Sequence, residues 1–265
     1  MINPLLKNAT QRTKEHFYPN YYSKLYQHIR REVIGNLTGI RVLELGCGSG
    51  WLAREMQKSG FKVVAFDYSE KSLKESQFIY ASENLDISLI RGDGRDLPFK
   101  DNSFDSVSML GVLEHIVPPE ASLKEIYRVM NKGGVFCVSV PNTFTYGVIY
   151  DRIVSPVFNL TPLGYDNVLN RHFSKIGLKR THEPSDDHSV QFTANSFRRL
   201  LEGTSFRIIK FTNYDVFSSY AASLFCGLLR INRKLINPLE EIDIKLARKL
   251  PFWMGTGWLA ICRKE

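Results

Sequence analysis

The sequence predicts an α/β fold in which a mostly parallel β-sheet is covered by helices on both faces. Apolar, β-branched runs alternate with helix-sized amphipathic segments along residues 41–141, which is typical of a parallel sheet buried on both sides. The chain has 265 residues, of which 43% are hydrophobic and 23% charged. This composition is enough to bury the core of one domain that carries insertions.

The first half of the chain predicts five strands joined by helices. Gly60 is expected to cap the helix after the first strand, and Ser69 to begin the next helix. A further helix is predicted from about Pro119 to Met130, before the Gly133-Gly134 pair. The five strands are predicted at residues 41–45, 62–66, 86–90, 104–109 and 135–140.

After Pro141 the regular alternation stops, which indicates insertions into the fold. The C-terminal part predicts a helix at 193–203, a sixth strand at 205–214, a helical insert at about 215–250 and a last strand at 252–264. We therefore predict a seven-stranded, doubly wound sheet with helical cap insertions after strands five and six. The predicted units are an N-terminal helical lid at 1–40, a core at 41–141, a cap insertion at 142–189 and a C-terminal part at 190–265.

A glycine-rich loop follows the first strand in the segment VLELGCGSGWLA, residues 42–53. Gly46, Gly48 and Gly50 let the backbone turn sharply and approach a ligand without interference from a Cβ atom. The dinucleotide fingerprint needs a third glycine five residues after the first, where this chain has Trp51. A nicotinamide cofactor is therefore disfavoured. For the loop alone, a purely structural strand-to-helix turn remains the alternative.

Two acidic residues follow the next two strands. Asp67 ends the second strand 21 residues after Gly46, where a doubly wound fold places a carboxylate that accepts ribose hydroxyl protons. The alternative for Asp67 is an N-cap of the following helix. Asp93, followed by Gly94, lies just beyond strand three and could meet an adenine amine, or it could form an Asp-Gly turn.

The fourth strand runs into small and apolar residues in FDSVSMLGVLEHI, residues 104–116. This pattern places Leu110 and Gly111 against a ligand at the end of the strand. His115 then lies near the rim of the expected pocket. A structural histidine that is satisfied within the fold is the alternative for His115.

Taken in this order, the segments resemble the UbiE-like branch (methyltransferase type 11) of class I S-adenosylmethionine-dependent methyltransferases, over roughly residues 40–141. The resemblance implies a Rossmann-like sheet, S-adenosylmethionine as methyl donor and a last strand that runs antiparallel between its neighbours. VLELGCGSG matches the family's glycine motif, Asp67 its ribose acid and Asp93 its adenine-site acid, and Tyr68 is implied to stack on adenine. The candidate cofactor-binding residues are Glu44, Gly46, Cys47, Gly48, Asp67, Tyr68, Asp93, Gly94, Leu110 and Gly111.

The catalytic demand on such a protein is small, because the sulfonium of the cofactor already activates the methyl group. The protein must align an electron-rich O, N or C atom with it and exclude water. Where the acceptor is a hydroxyl, an imidazole could remove its proton, and His115 and His188 are the candidates.

The resemblance also bears on a metal site. Related ubiquinone O-methyltransferases carry an E-x-x-E-H metal motif. This chain has Gly111 in place of the first acid of that motif, so no metal is expected.

The sequence also narrows the acceptor. It lacks an N-P-P-Y-like tetrad and a Pro-Cys motif, which disfavours DNA. The net charge of +8 is concentrated at the ends, since residues 41–225 hold 21 basic and 21 acidic residues; a basic groove in the core is not indicated. We predict a small-molecule acceptor, with a lipophilic one favoured by the apolar inserts. An RNA-modifying methyltransferase that uses its basic termini and a non-catalytic cofactor-binding protein are the alternatives.

The remaining expectations concern location. The apolar run Val216–Leu229 is shorter than the roughly 20 residues that a membrane span needs. Arg230, Arg233 and Lys234 follow it, so this run is either a core helix of the cap or a peripheral membrane contact. The four cysteines form no C-x-x-C pair and the N-terminus lacks a signal-peptide apolar core, which favours the cytoplasm. The sequence predicts no oligomeric state.

Overall fold

A computed structural model describes residues 24–142, 189–214, 216 and 237–265. Its strands are β1 (Arg41–Leu45), β2 (Lys62–Asp67), β3 (Ser88–Arg91), β4 (Phe104–Leu110), β5 (Met130–Pro141), β6 (Phe206–Asn213) and β7 (Gly257–Lys264). Its α-helices are α1 (Lys24–Asn36), α2 (Trp51–Lys58), α3 (Glu70–Ser82), α4 (Pro119–Val129), α5 (Ala194–Gly203) and α6 (Asn237–Ala247). Short 3₁₀ helices cover Leu113–His115 and Phe252–Met254.

The seven strands form one mixed sheet in the order β3-β2-β1-β4-β5-β7-β6. Strands β1 to β5 pair in parallel, whereas β7 runs antiparallel to both β5 and β6. The seven-stranded doubly wound sheet and its antiparallel last strand are therefore confirmed. The chain order reverses direction across the sheet between β1 and β4, and ligands of open α/β sheets bind beside such a point.

Both faces of the sheet are buried, as the apolar strands predict. Leu43 and Val107 face a cluster that includes residues of α4 and α5. Val42 and Val63 face the opposite cluster, which includes residues of α1, α2 and α3. Since both faces of β1 are covered, its residues from Val42 to Leu45 are all buried, and Glu44 is the polar residue among them.

The predicted helix signals act as expected at two positions. Ser69 caps α3, because its side chain accepts a hydrogen bond from Ser72 N at 3.3 Å. Gly60 lies just beyond the end of α2 with φ +96°, a conformation that glycine adopts without the steric cost of a Cβ.

Two predicted strand starts are wrong by five residues each, and β3 begins at Ser88 rather than at residue 86. Strand β5 begins at Met130, so Gly133 and Gly134 lie inside the strand, where the β4–β5 register is irregular opposite Phe104. Residues 252–254 form a 3₁₀ turn rather than the start of β7, because Met254 N donates to Pro251 O at 3.0 Å. Both cases depend on local hydrogen bonding that the apolar pattern does not reveal.

Helix α1, within the predicted lid, packs beside α6 and against the sheet. Glu32 of α1 binds Arg248 at 2.6 Å and also pairs with Lys210. Several predicted features lie outside the described residues. They are residues 1–23, nearly all of the cap insertion including His188, the run Val216–Leu229 apart from its first residue, and the basic residues Arg230, Arg233 and Lys234. In the part of the chain that is described, no helix is long and apolar enough to cross a membrane.

Candidate functional site

The carboxyl ends of β1, β2, β3 and β4 bring the predicted cofactor residues to one edge of the sheet. Parallel strands end at the same edge, so residues that are far apart in the chain become neighbours there. The glycine loop follows β1, Asp67 and Tyr68 lie at the end of β2, Asp93 and Gly94 follow β3, and Leu110 and Gly111 lie at the end of β4. Apart from His188, every predicted site residue falls within the described part of the chain.

The glycine loop is tightly built. Gly46, Gly48 and Gly50 have φ values of +74°, +53° and +78°. A Cβ on Gly46 would lie 2.2 Å from a methyl carbon of Val112, and one on Gly50 would lie 2.1 Å from the Tyr80 hydroxyl. A Cβ on Gly48 would meet no atom within 4 Å. The protein's own packing therefore requires Gly46 and Gly50, whereas Gly48 borders open space that a ligand can occupy.

Asp67 joins the loop to the end of β2. Its Oδ2 accepts a hydrogen bond from Gly48 N at 2.7 Å, and its Oδ1 accepts one from Ser69 N at 2.8 Å. The N-cap of α3 is Ser69 and not Asp67, so the alternative interpretation of Asp67 as a helix cap is wrong. A carboxylate has about four acceptor sites, which leaves this one able to accept further protons from a ligand.

Two side chains of α3 hold the loop from below, and sequence reasoning missed both. The Ser76 hydroxyl donates to Gly48 O at 2.9 Å, and the Tyr80 hydroxyl donates to Gly50 O at 3.1 Å. Both residues are buried, and residues four positions apart share one helix face. This polar pair at helical spacing was the signal that could have found them.

Glu44 places a carboxyl group beneath the loop. It is buried, and its Oε2 has no hydrogen-bond partner among the described residues. Burial and, to a smaller extent, the charge of Asp67 raise the pKa of this carboxyl, and a hydrogen bond from the Ala53 backbone opposes them; the net result is a pKa of about 8. The residue opposite on β4, Ser108, also has a buried hydroxyl without a partner among the described residues. Buried polar atoms are rarely left unpaired, so this pair marks a place that a polar ligand could complete.

The raised pKa of Glu44 predicts a loss of stability with rising pH. The folded state holds the proton up to about pH 8, whereas an unfolded glutamate releases it near pH 4.3. Between these values the free energy of unfolding should therefore fall as pH rises, by up to about 1.4 kcal/mol per pH unit. A Glu44→Gln variant should lack this part of the slope, and its stability relative to the parent should increase from pH 5 to pH 8 in urea unfolding.

Glu202→Gln, at an exposed position of α5, is the control and should leave the slope unchanged. Glu114 also has a pKa raised by burial, to about 7, so part of the slope should persist in Glu44→Gln. Parallel stability curves for the parent protein and Glu44→Gln would contradict a neutral buried carboxyl at position 44.

The segment after β4 supplies a second buried acid beside a histidine. Glu114 is buried, and its Oε2 has no hydrogen-bond partner among the described residues. His115 follows it with a side chain that is 33% exposed, and its Nε2 lies 3.9 Å from Glu114 Oε1. His115 is thus partly exposed beyond the end of β4, with an acid behind it, and its place at the rim of a pocket stays a prediction. Glu114 belongs to the segment 104–116 that follows the fourth strand, but the sequence pattern does not reveal that its carboxyl is buried.

Tyr68 and Asp93 lie on the outer side of this edge. The Tyr68 side chain is 73% exposed, so one face of its ring is available to a flat ligand. Asp93 pairs with Arg95 at 2.6 Å, and this contact holds the pKa of the Asp93 carboxyl below its usual range. Gly94 lies beneath, where a Cβ would be 3.2 Å from side-chain carbons of Leu45 and Ile116. An adenine contact at Asp93 therefore remains a prediction, with Arg95 as the present partner of that carboxylate.

Comparison with known proteins agrees with this arrangement. Residues 43–138, which hold the glycine loop, Asp67 and the end of β4, match the family described as "Methyltransferase domain". The matched residues 43–138 therefore resemble the domain of class I S-adenosylmethionine-dependent methyltransferases. S-Adenosylmethionine is the methyl donor of this class.

Two relatives match the methyltransferase core. A "Probable S-adenosylmethionine-dependent methyltransferase" of Mycolicibacterium smegmatis is 29% identical over 137 residues, which cover 52% of this chain and 52% of the relative. A demethylmenaquinone methyltransferase of Corynebacterium glutamicum is 38% identical over 115 residues, which cover 42% of this chain and 47% of the relative. The chain thus spans about half the length of these relatives.

The fold extends beyond the region of sequence similarity. A solved S-adenosylmethionine-dependent methyltransferase from Methanosarcina mazei superimposes with a TM-score of 0.55 at 16% identity, over 88% of this chain and 96% of the other. At this identity the likeness shows the Rossmann-like methyltransferase fold and does not identify an acceptor.

The loop anchor of the methyltransferase domain can be tested through Ser76. Ser76→Ala removes the hydroxyl that holds Gly48 O, so we expect unfolding stability to fall by about 1 kcal/mol. Because Gly48 is then held less firmly, S-adenosylmethionine should also bind several-fold more weakly in calorimetry. Ser82→Ala, which removes a hydroxyl that bonds to Ile79 O at the far end of α3, should leave that affinity unchanged. Equal affinities in both variants would contradict the anchoring role of Ser76.

Proposed function

We propose that this protein transfers a methyl group from S-adenosylmethionine to an O, N or C atom of a small-molecule acceptor, and that this acceptor is lipophilic. The observation that carries the proposal is that Gly48 borders open space directly beside the carboxylate of Asp67. This carboxylate accepts a hydrogen bond from Gly48 N. The relative that acts on demethylmenaquinone supports an acceptor of this class.

The residues of the edge fit the parts of S-adenosylmethionine. Asp67 would accept protons from the ribose hydroxyls, and the exposed ring of Tyr68 would lie against the adenine. The neutral Glu44 carboxyl, whose Oε2 has no partner among the described residues, would receive the cationic amino group of the methionine portion. The other cofactor contacts would come from the remaining predicted residues around the loop and the strand ends, which are Gly46, Cys47, Gly48, Asp93, Gly94, Leu110 and Gly111.

When bound, S-adenosylmethionine supplies a methyl group that is already activated by its sulfonium. The protein's own task is to hold the acceptor atom in line with that methyl group and to keep water out. Leu110 and Gly111 would form the wall on which the acceptor approaches, because they end the strand beside β1. Val112, whose side chain closes over Gly46, would exclude water from the same side.

For an acceptor that loses a proton on methylation, His115 is the described candidate for the base. A His115→Gln variant should lower kcat by about 10²- to 10⁴-fold, which is the usual contribution of a positioned base. Its affinity for S-adenosylmethionine should stay unchanged. Methyl transfer to demethylmenaquinone, followed as a function of pH, is the measurement. His28→Gln, on α1, is the control, and an unaltered kcat in His115→Gln would rule out His115 as the base.

The activity itself is tested by label transfer. The purified protein is first denatured and searched by mass spectrometry for S-adenosylmethionine, its demethylated product and any retained apolar metabolite. Radiolabelled S-adenosylmethionine is then supplied with demethylmenaquinone, with an apolar cell extract, or with total RNA. Label in an apolar product is expected. Label in RNA would overturn the proposed acceptor class, and failure to bind S-adenosylmethionine in calorimetry would overturn the proposed activity.

A further inference from the structure

A cavity lies at the same edge of the sheet, beyond the proposed cofactor site. Its volume is about 420 Å³. The end of β5 contributes Asn142, the start of α5 contributes Thr193 and Arg198, and the segment before β7 contributes Phe252. Two strand spacings separate β1 from β5 in the sheet, which is roughly 10 Å. Arg198 stacks on Phe211 of β6, two strands beyond β5, so a ligand held at Arg198 has to extend past Asn142 to reach the space above the ends of β1 and β4.

Arg198 is the charged group of the described cavity wall. Its guanidinium carbon lies 4.0 Å from the ring centroid of Phe211 and 4.9 Å from that of Phe252. These two rings meet edge to face, with centroids 5.2 Å apart. The side chain is thus held against aromatic surface at the mouth of the cavity, and it is only partly exposed.

The Arg198 guanidinium makes no hydrogen bond or ion pair with the residues that the structure describes. Glu202, one turn further along α5, lines an adjoining hollow with Arg198 but forms no ion pair with it. Stacking on a ring uses the flat face of a guanidinium and leaves the N–H groups along its edge available. These N–H groups form a planar fork that matches the oxygen atoms of a carboxylate or a phosphate. The described wall of the cavity contributes no acidic side chain that could serve as the partner.

The other polar groups of the wall are uncharged. Asn142 is buried, and its side-chain amide donates to Gly255 O at 2.8 Å, so it forms a fixed polar surface. Thr193 and Asn195 lie at the start of α5. Trp258, on the apolar side, is held by a hydrogen bond from its indole Nε1 to Phe252 O at 2.9 Å. Among the described residues, the wall therefore combines the Arg198 guanidinium with aromatic and neutral polar surface.

We propose that this cavity binds a ligand with an apolar or aromatic body and a carboxylate or phosphate group, which pairs with Arg198. In the context of the proposed function, on which this part of the inference rests, the ligand is the methyl acceptor. The apolar body then lies against Phe252 and Trp258, and the acidic group is held at Arg198. The lipophilic acceptor then also carries an acidic group, so the apolar cell extract, rather than the neutral demethylmenaquinone, is expected to contain it.

The test measures binding without methyl transfer. Phenyl phosphate, benzoate and the neutral benzyl alcohol are titrated into the full chain by calorimetry, and the Trp258 indole N–H is followed by NMR because it lies in the cavity wall. At least one of the two anions should bind, at least tenfold more tightly than benzyl alcohol. Arg198→Gln should weaken anion binding at least tenfold, and Arg198→Lys should weaken it less. The preference between phosphate and carboxylate identifies the acidic group.

Arg207→Gln is the matched control, because it also removes one arginine charge. Arg207 lies at the start of β6, whereas Arg198 packs on Phe211 near the end of that strand, and Arg207 pairs with Glu265 at the surface. It should change anion affinity by less than twofold. Equal binding of benzyl alcohol, no binding of either anion, or equal losses in Arg207→Gln and Arg198→Gln would overturn the site. If Arg198→Gln does not fold, the anion site is still tested by Arg198→Lys and by comparing the charged probes with the neutral probe in the parent protein.

The same proteins are titrated with S-adenosylmethionine in a separate experiment. Loss of S-adenosylmethionine binding in the parent protein, with Arg198-dependent anion binding intact, would refute the proposed function and leave the anion site standing. The converse result, with the cofactor bound and the anions rejected, would refute the anion site alone.

Discussion

A Gly48→Val variant is expected to bind S-adenosylmethionine at least about 100-fold more weakly than the parent protein, a loss of about 2.7 kcal/mol. Gly48 has φ +53°, and a Cβ there would project into space that no protein atom occupies within 4 Å. The valine side chain would fill the space proposed for the ligand and would also strain the backbone. Calorimetry measures the affinity, and circular dichroism should show that the fold persists.

Gly60→Val separates backbone strain from ligand contact. Gly60 also has a positive φ, +96°, and a Cβ there would also meet nothing within 4 Å, but it lies past the end of α2, away from the strand ends that form the site. This variant should lose about 1–3 kcal/mol of stability from strain and still bind S-adenosylmethionine. If both variants bind equally well, Gly48 does not border the cofactor; if both lose binding equally, strain explains the loss.

Asp67→Ala is expected to have the second large effect. Each ligand hydroxyl that donates to this carboxylate should contribute about 1.5–3 kcal/mol, so the loss of even one contact weakens binding by more than about tenfold. The substitution also removes the acceptor for Gly48 N and Ser69 N, which loosens the loop. Calorimetric titration with S-adenosylmethionine is the measurement.

Two comparisons make the result for Asp67 specific. Asp86→Ala removes a carboxylate of the same charge from an exposed position before β3 and should leave the affinity unchanged. Asp67→Asn keeps an oxygen that can accept from Gly48 N, so it should retain more affinity than Asp67→Ala. Unchanged affinity in a folded Asp67→Ala protein would refute the ribose role.

The loop is shaped before any ligand binds. Gly46 N and Cys47 N donate to Phe66 O at 2.8 and 3.0 Å, while Ser76 and Tyr80 fix the loop carbonyls from below. Ordering the loop on binding would therefore cost little free energy, because its conformation is already set by protein contacts. The same contacts explain why substitutions that reach no ligand, such as Ser76→Ala, are expected to change the affinity.

The sequence alone determined the parts of this protein that depend on short-range pattern. The apolar runs predicted the seven strands, most clearly the central ones such as β1 and β5, which are buried along most of their length, whereas β3 and β6 are less buried. The caps at Ser69 and Gly60 followed from the chemistry of single residues. The glycine loop and Asp67 could be placed at one edge because parallel strands share their carboxyl ends, and the family resemblance added the cofactor.

Only the tertiary structure decided which atoms meet. Ser76 and Tyr80 are ordinary helix residues until α3 packs beneath the loop, and the raised pKa of Glu44 arises from burial, which no local pattern measures. Arg198 is one of two neighbouring arginines in the sequence of α5, and its contact with two aromatic rings depends on β6 and the turn at residues 252–254. Contacts between residues far apart in the chain depend on how the elements pack, and that packing is settled by the whole core rather than by any one segment.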